Sequence, residues 1–485
     1  MPDVRYVILS DLHFGAANSV LSNVLPGHNG ADPSKPGPAL QALVHCLRDL
    51  VAHNEGDQQP TLVLGGDILE FALALDNVAA MTFSCFVELT MVDPDRLFDS
   101  TIYFVPGNHD HHLWEGAREK HYAQYLASVP LGQPLKGPRH TTPLLGARDE
   151  HPTDAQLLTA LVQRIGADDL RVQIAYPNLA FLSDDCRKGI VYHHGHFVES
   201  IYRLMSVLNE LMFDHQTEPD IVQWEAENFA WIDFFWSTLG RSGDVGIDVA
   251  LIYESMQSKD ATDRIVDRLA DGIASHIRDG RLRRRVARRV ITTALNRVVS
   301  HVSARERRTT DAILSAEAQR GLRAYVEGPL RNQLATECNG DPPSEVTFAF
   351  GHTHKPFVDI MEATRYPTPL TVMNTGGWVV DGLEPEPLHG AAAILVDEDM
   401  DALLLRFYTQ HADPSEYRTV IQTPGSRDSE FARRMKTIVE TNRTPWSEFS
   451  TTVAGVVAQR NRDLAEIVAQ RPVMPQPGAG AWTPT

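Results

Sequence analysis

Short apolar runs that end in polar turns mark the first part of the chain. The runs 4–10, 61–64 and 101–105 are rich in Val, Ile, Leu, Phe and Tyr, as buried β-strands are. Between the first two, apolar residues recur at helical spacing from Pro38 to Val51. This strand–turn–helix alternation predicts an α/β layered core whose functional residues follow the carboxyl ends of the strands.

The same patterns continue along the chain. Further helices are predicted at 68–81, 114–128, 157–165, 430–440 and 446–470. Further strands are predicted at 171–182, 189–192, 346–350, 370–373, 391–396 and 403–408. A hairpin turn is expected at 397–401.

A change of pattern divides the chain into parts. From about residue 199 to about residue 345 the sequence is helical in pattern and almost free of strand signals, which indicates a helical insertion. The Pro-, Gly- and Ala-rich end of the chain is typical of disorder. The predicted parts are a core in two pieces (1–198 and 346–412), a helical cap insertion (199–345), a C-terminal helical extension (413–471) and a disordered tail (472–485).

Composition and charge narrow the class of protein. A net charge of −19 over 485 residues argues against broad electrostatic binding to nucleic acid. The four cysteines are scattered, so neither a disulfide framework nor a cysteine zinc site is indicated. We see neither a signal peptide nor an apolar run of the roughly 20 residues that span a bilayer. These features predict a cytoplasmic protein.

Polar side chains with metal-binding chemistry follow the predicted strands. They lie in the segments Asp11–His13, Gly65–Asp67, Gly107–Asp110, His193–His196 and Gly351–His354. Carboxylate oxygen, amide oxygen and imidazole nitrogen together suit divalent cations, and a carboxylate can bridge two cations ~4 Å apart. A lone Gly-His-x-His is a weak signal, whereas the combination of segments indicates one metal site.

The ordered set Asp-x-His, Gly-Asp, Gly-Asn-His-Asp, His-Gly-His and Gly-His-Thr-His resembles that of the calcineurin-like metallophosphoesterase superfamily. The resemblance covers residues 4–196 and 346–408. It implies a four-layer αββα sandwich of two mixed sheets, here with a large helical cap insertion. It also implies a hydrolase of phosphoric esters that uses two divalent cations, with manganese expected and iron, zinc or nickel as alternatives.

The resemblance also assigns residues to roles. The first cation would be held by Asp11, His13, Asp67 and His354, and the second by Asn108, His194, His352 and the bridging Asp67. The histidine directly before Gly195 is the family ligand, hence His194 rather than His193 or His196. A metal-bridging hydroxide would attack phosphorus, and His109 would protonate the leaving oxygen or stabilise charge on the phosphoryl group. Asp110 would hydrogen-bond the far ring nitrogen of His109.

The substrate is left open between several classes. The general expectation is a phosphomonoester or phosphodiester, either a small molecule or a nucleotide-like substrate. The opening motifs also resemble UDP-2,3-diacylglucosamine pyrophosphohydrolases, although that family has arginine where this chain has His109. A nuclease and a scaffold without catalysis are the remaining alternatives.

The asparagine turn 374–377 is expected to pack against the site.

Two segments of the predicted insertion bear on this choice. The aromatic segment 224–236 indicates helix packing in preference to an apolar ligand surface. The arginine-rich segment 281–308 fits equally well a solvated helix and a contact with phosphate or an anionic membrane surface.

Overall fold

The computed structural model describes residues 2–24, 32–92, 94–146, 149, 151–212, 220–233, 237, 311–340, 342–425 and 428–470. The strands are β1 (Tyr6–Leu9), β2 (Thr61–Leu64), β3 (Thr101–Phe104), β4 (Thr153–Asp154), β5 (Arg171–Ile174), β6 (Asn178–Leu182), β7 (Lys188–His193), β8 (Glu345–Phe350), β9 (Phe357–Met361), β10 (Leu370–Asn374), β11 (Gly390–Val396), β12 (Ala402–Thr409) and β13 (Val420–Gln422).

The helices in the described residues are α1 (Pro38–Val51), α2 (Asp76–Thr90), α3 (His112–Ser128), α4 (Gln156–Gln163), α5 (Leu204–Met212), α6 (Ile221–Ile232), α7 (Ala316–Tyr325), α8 (Arg331–Glu337), α9 (Glu430–Thr441) and α10 (Arg443–Gln470). Short 3₁₀ turns lie at His196–Val198, Ser200–Arg203 and Pro414–Glu416, and a π-helical turn joins α7 to α8 at Val326–Leu330.

The strands form two mixed sheets. The first has the order β13-β12-β11-β1-β2-β3-β5-β4, in which β1, β2, β3 and β5 run parallel. The second has the order β6-β7-β8-β10-β9, in which β7, β8 and β10 run parallel. Parallel strands bring their carboxyl ends to one edge of a sheet, so each sheet gathers its strand-end loops on one side.

Three apolar clusters hold the layers together. The cluster between the sheets takes side chains from both of them, among them Ile8, Val63, Ile190 and Ala349. A second cluster joins the outer face of the first sheet to α1, α2, α4, α9 and α10. A third joins the outer face of the second sheet to α6, α7 and α8. The result is a four-layer arrangement of helices, two mixed sheets and helices, which confirms the predicted fold class.

The helix predicted at 68–81 is placed wrongly, since α2 begins at Asp76. The chain after β2 instead continues as a loop, with Phe14 N donating to Ile68 O at 2.8 Å. The Glu70 carboxylate accepts the backbone N–H groups of Ala72 and Leu73 at 2.9 and 3.0 Å. These bonds engage the groups that a helix would use, because a residue has only one backbone donor.

The strand predicted at 171–182 is two strands in different sheets. β5 pairs with β3 in the first sheet, and β6 pairs with β7 in the second. Pro177 lies at the change of sheet, where its missing N–H costs no ladder hydrogen bond.

The described part of the predicted insertion is helical. Leu322 and Tyr325 of α7 and Trp224 of α6 are buried against the second sheet, so these helices belong to its outer layer. The domain boundaries and the cap itself stay predictions. The arginine-rich segment 281–308 and the tail 472–485 lie outside the described residues. Among the described helices, none combines the length and apolar character that a bilayer crossing needs.

Candidate metal centre

The carboxyl ends of strands from both sheets meet at one buried place. Asp11 follows β1, Asp67 follows β2 and Asn108 follows β3 in the first sheet. His194 and His352 follow β7 and β8 in the second. Backbone hydrogen bonds join these loops, including Asp11 N to Gly66 O at 2.9 Å and Gly351 N to His194 O at 2.8 Å. The structure therefore brings together side chains that are far apart along the chain.

The backbone at this place is in an unusual conformation. Positive φ angles occur at Asp11 (53°), His13 (46°), Asp67 (51°), His352 (69°) and His354 (60°). Residues other than glycine adopt this region rarely and at a cost of about 1–3 kcal/mol each. All five are predicted metal ligands, so the fold accepts this cost at the residues whose side chains converge.

One group of side chains lies around Asp11. Asp11, His13 and His354 each offer a ligand atom within 4.8 Å of the others. His354 Nε2 lies 3.6 Å from Asp11 Oδ1, and His13 Nε2 lies 3.8 Å from Asp67 Oδ2. This is the set expected for the first cation.

A second group lies around Asp67. Asp67, His194 and His352 each offer a ligand atom within 4.8 Å of the other two. His194 Nε2 lies 3.3 Å from Asp67 Oδ2 and 3.1 Å from Asn108 Oδ1. Asp67 thus faces both groups, as the bridging ligand of a two-cation site must. The seven predicted ligand residues are buried, with exposed fractions of at most 2%.

The chemistry of these groups fits divalent cations. Among the described residues, His13 Nε2 and His354 Nε2 are buried and have no hydrogen-bond partner. Leaving such nitrogens unsatisfied costs about 1–3 kcal/mol each. Their distances of 3.8 and 3.6 Å to carboxylate oxygens are too long for hydrogen bonds. They approach the roughly 3–3.5 Å between two ligands that share a cation at about 2.1 Å.

The other nitrogen of each imidazole is held by the protein. His13 Nδ1 lies 2.7 Å from Glu70 Oε2, His354 Nδ1 lies 2.8 Å from Asp381 Oδ2, and His194 Nδ1 lies 3.1 Å from the carbonyl oxygen of Gly65. An acceptor at Nδ1 keeps the proton there and leaves the Nε2 lone pair for a cation. These contacts orient the rings for metal binding.

The predicted partner of His109 is wrong. His109 Nδ1 lies 2.8 Å from Glu70 Oε1, so Glu70 and not Asp110 holds this ring. Asp110 instead accepts backbone N–H groups of Gly107 at 2.7 Å and Ile68 at 2.7 Å. Asp110 therefore binds the loops after β2 and β3 together.

His109 itself lies beside the two groups. Its backbone N–H donates to Asp67 Oδ1 at 2.8 Å, and its Nε2 is 4.0 Å from Asp67 Oδ2. His13, Asp67 and His109 also satisfy the geometry of a metal-binding group. The position suits either a proton donor or a ligand.

The electrostatics of the centre come from close opposite charges. Burial would raise the pKa of Asp67, but His194 and His109 outweigh it and hold that pKa well below its usual value. Burial would lower the pKa of His194, but Asp67 raises it to about 9. Burial and the charge of Asp67 raise the pKa of Asp110 to about 7. A cation and a proton therefore compete for His194, since an imidazole ligand is neutral.

The remaining predicted residues have structural contacts. His193 Nδ1 accepts Gly195 N–H at 2.7 Å, and its ring packs 4.7 Å from that of Tyr325. Asn374 donates through Nδ2 to Gly351 O at 2.8 Å, so the turn after β10 does pack against the site. In the aromatic segment, Trp224 is buried in the outer layer of the second sheet. Phe234, Phe235 and Trp236 lie outside the described residues.

Three carboxylates that contact histidines of the centre are not among the residues predicted from the sequence. Glu70 follows Asp67 by three residues and could have been found as a nearby acid in a strand-end loop. Glu199 and Asp381, which contact His352 and His354, have no local signal, because only the fold brings them close.

Comparison with known proteins identifies the chain at the level of its family. A family model described as calcineurin-like phosphoesterase matches residues 4–253. The search of curated proteins found no match.

Proposed function

Because the chain belongs to the calcineurin-like phosphoesterase family, we propose that it hydrolyses a phosphomonoester or phosphodiester at a centre of two divalent cations. The observation that carries the proposal is the pair of adjacent buried ligand groups, Asp11 with His13 and His354 and Asp67 with His194 and His352. His13 Nε2 of the first group lies 3.8 Å from Asp67 Oδ2 of the second. Asp11, His13, Asp67 and His354 would hold one cation, and Asp67, Asn108, His194 and His352 the other. When bound, the cations would activate water as the nucleophile and neutralise charge on the phosphoryl group.

The side chains of this centre have distinct tasks in the proposal. His109 donates a proton from Nε2 to the leaving oxygen, since Glu70 holds its Nδ1 at 2.8 Å. Glu70 orients His109 and His13 together, so proton donor and metal ligand keep a constant spacing. Burial of the ligands excludes competing water and strengthens each charge interaction.

An activity measurement with added metal tests the proposal. The purified protein is stripped of metal, reloaded with Mn²⁺, Fe²⁺, Zn²⁺ or Ni²⁺, and assayed with an aryl phosphate and a bis-aryl phosphodiester. We expect metal-dependent turnover, with the preferred ester revealed by the ratio of kcat/KM values. Asp67→Asn, purified in parallel, controls for contaminating phosphatases. Turnover with none of the metals, on either ester, would support the scaffold alternative instead.

The narrower substrate alternatives depend on residues outside the described ranges. The arginine-rich segment 281–308 would supply the phosphate contacts of a nuclease or of a membrane surface. Salt-sensitive DNA binding with strand cleavage would favour the nuclease. Hydrolysis of a UDP-linked diacyl sugar would favour the lipid-precursor hydrolase, although His109 stands where that family has arginine. A panel of these substrates, with the aryl esters as reference, separates the classes.

A further inference from the structure

A carboxylate from the start of the predicted insertion contacts the metal centre. Glu199 lies between the 3₁₀ turns His196–Val198 and Ser200–Arg203. Its Oε1 is 2.7 Å from His352 Nε2, a short distance for a hydrogen bond to a charged acceptor. The side chain of His352 is 1% exposed and that of Glu199 17%. The contact is therefore largely screened from solvent. Hydrogen bonds of this kind are stronger in a protein interior than in water.

This contact gives His352 an orientation opposite to that of the other ring ligands. His13, His194 and His354 present Nε2 to the centre and Nδ1 to a protein acceptor. In His352 the acceptor is at Nε2, so Nδ1 is the nitrogen that would bind a cation together with Asp67 and His194. In the other tautomer Nδ1 carries the proton and cannot bind metal, and the contact with Glu199 disfavours that tautomer.

The same short segment also contacts the face of His352. The Tyr202 ring meets the imidazole edge-on, with centroids 5.1 Å apart and planes at 81°. Tyr202 N donates to Glu199 O at 3.3 Å, so the two residues are connected through the backbone. One side chain thus directs the ring nitrogen and the other limits rotation of the ring.

Close packing keeps this segment in place. The Cβ of any larger residue at Gly321 of α7 would overlap the carbonyl oxygen of Val198. Ser200 Oγ donates to Glu317 Oε1 of α7 at 2.5 Å. The backbone on either side of Glu199 is therefore fixed against the helix that follows the undescribed part of the insertion, which leaves Glu199 little freedom to move away from His352.

We propose that Glu199 is a positioning residue that selects the metal-binding tautomer of His352 and so sets the cation affinity of the second site. The inference rests on the proposed two-cation function. It concerns a residue that binds neither cation nor substrate, since Glu199 acts through His352. It assigns the start of the insertion a part in metal binding in addition to packing.

Metal binding by the full chain tests the inference. Glu199→Ala, Glu199→Gln and wild type are stripped and titrated with Mn²⁺, and bound metal is counted by mass spectrometry after dialysis. Partners of this kind contribute about 10–100-fold to metal affinity. We expect Glu199→Ala to weaken one of the two binding steps by about that factor and leave the other step unchanged. Glu199→Gln keeps an acceptor and should recover part of the affinity.

Glu317→Gln is the matched control. It removes a charge from the junction between α7 and the 3₁₀ turn Ser200–Arg203 but keeps an acceptor for Ser200. Both binding steps should therefore equal those of wild type. Activity gives a second readout: excess Mn²⁺ should restore kcat in Glu199→Ala, because the missing contact lowers affinity and not chemistry. A stability defect alone would lower the folded fraction and change both binding steps equally.

Two outcomes overturn the inference, and each differs from failure of the proposed function. If Glu199→Ala binds two cations with wild-type affinities, the positioning role is wrong while the two-cation centre stands. If Glu317→Gln loses the same step as Glu199→Ala, the effect belongs to the junction as a whole and not to the His352 contact. If wild type itself binds no divalent cation, the proposed function fails first.

Discussion

Glu70 holds two imidazoles of the centre with one carboxylate. Its oxygens lie 2.7 Å from His13 Nδ1 and 2.8 Å from His109 Nδ1. Both rings consequently turn Nε2 toward Asp67 Oδ2, at 3.8 and 4.0 Å. The two histidines are alike in geometry, although only His13 is a ligand in the proposed function. Replacement of single side chains distinguishes their roles.

Asp67→Asn and His109→Ala should differ in metal content. Asp67 faces both ligand groups, so Asp67→Asn should abolish turnover and lower the bound metal below two per chain. His109→Ala should lower kcat by about 10²–10⁴-fold, the usual contribution of a general acid, while both cations remain. The measurements are steady-state kinetics on an aryl ester and metal analysis of the same samples.

The control for these variants is His45→Ala, an exposed histidine of α1. It should match wild type in kcat and in metal content. Equal metal loss in Asp67→Asn and His109→Ala would contradict the proton-donor role and make His109 a ligand.

The loop after β8 depends on a glycine beside the centre. A Cβ at Gly351 would overlap Asp11 Oδ2, which accepts a hydrogen bond from the backbone N–H of His352. Gly351→Ala should therefore displace Asp11 and weaken metal binding at the first site by at least about 10-fold. The measurement is a Mn²⁺ titration with folding checked by circular dichroism.

Gly455→Ala in α10 is the matched glycine control. Nothing lies within 4 Å of the position that a Cβ would take. The change therefore only reduces the conformational freedom of the unfolded chain at this position. We expect about 0.5–1 kcal/mol of stabilisation and unchanged metal affinity. Loss of metal in both variants would point to a general effect of added side chains and not to the contact with Asp11.

The hairpin between β11 and β12 should make stability depend on pH. Burial raises the pKa of Asp397 to about 7, and the charges of Asp401 and Glu398 add to this, although the backbone N–H of Asp401 opposes it. The native carboxyl binds its proton more tightly than the unfolded one. Its contribution to stability is thus full below about pH 4 and is lost as the pH rises through about 7.

Asp397→Asn should remove this loss. Its amide oxygen can still accept the N–H groups of Asp399 and Asp401, which Asp397 Oδ1 accepts at 3.0 and 2.8 Å. Denaturant unfolding should show the variant about 1–2 kcal/mol more stable than wild type at pH 8 and equal to it near pH 4. The exposed Asp399→Asn serves as control. A constant difference at all pH values would exclude titration of Asp397 as the cause.

The candidate centre joins the two sheets of the molecule. Asp11, Asp67 and Asn108 come from the first sheet, and His194 and His352 from the second. A cation held by residues of both sheets binds the native state and not the unfolded chain. At a concentration 1,000 times its Kd, such a cation adds about 4 kcal/mol to stability.

Removal of metal should therefore lower the thermal stability of the protein. We expect a chelator to shift the first unfolding transition down by several degrees, and excess Mn²⁺ to restore it, as followed by scanning calorimetry. Asp67→Asn should respond much less to either treatment, because it lacks the shared ligand. An identical chelator response in Asp67→Asn would place the stabilising cation elsewhere.

The spacing of apolar residues along the chain predicted most strands and helices of the structure. Strand-length apolar runs and helical spacing identified most elements, and the order of five short motifs identified the family. The predicted helix at 68–81 is misplaced because a tertiary hydrogen bond from Phe14 N to Ile68 O and local bonds to the Glu70 carboxylate hold the start of that segment as a loop. The apolar pattern of 171–182 predicts one continuous strand because such a pattern does not reveal a change of sheet.

Residue types and their order along the chain were enough to specify the layered α/β class, the family and a set of metal-ligand candidates. The partners of those candidates were decided by folding alone. Glu70 rather than Asp110 holds His109, and Glu199 and Asp381 contact histidines that are 153 and 27 positions away along the chain. Ligands follow strands and so leave a local trace, whereas a hydrogen-bond partner can come from any segment that packing brings within about 3 Å.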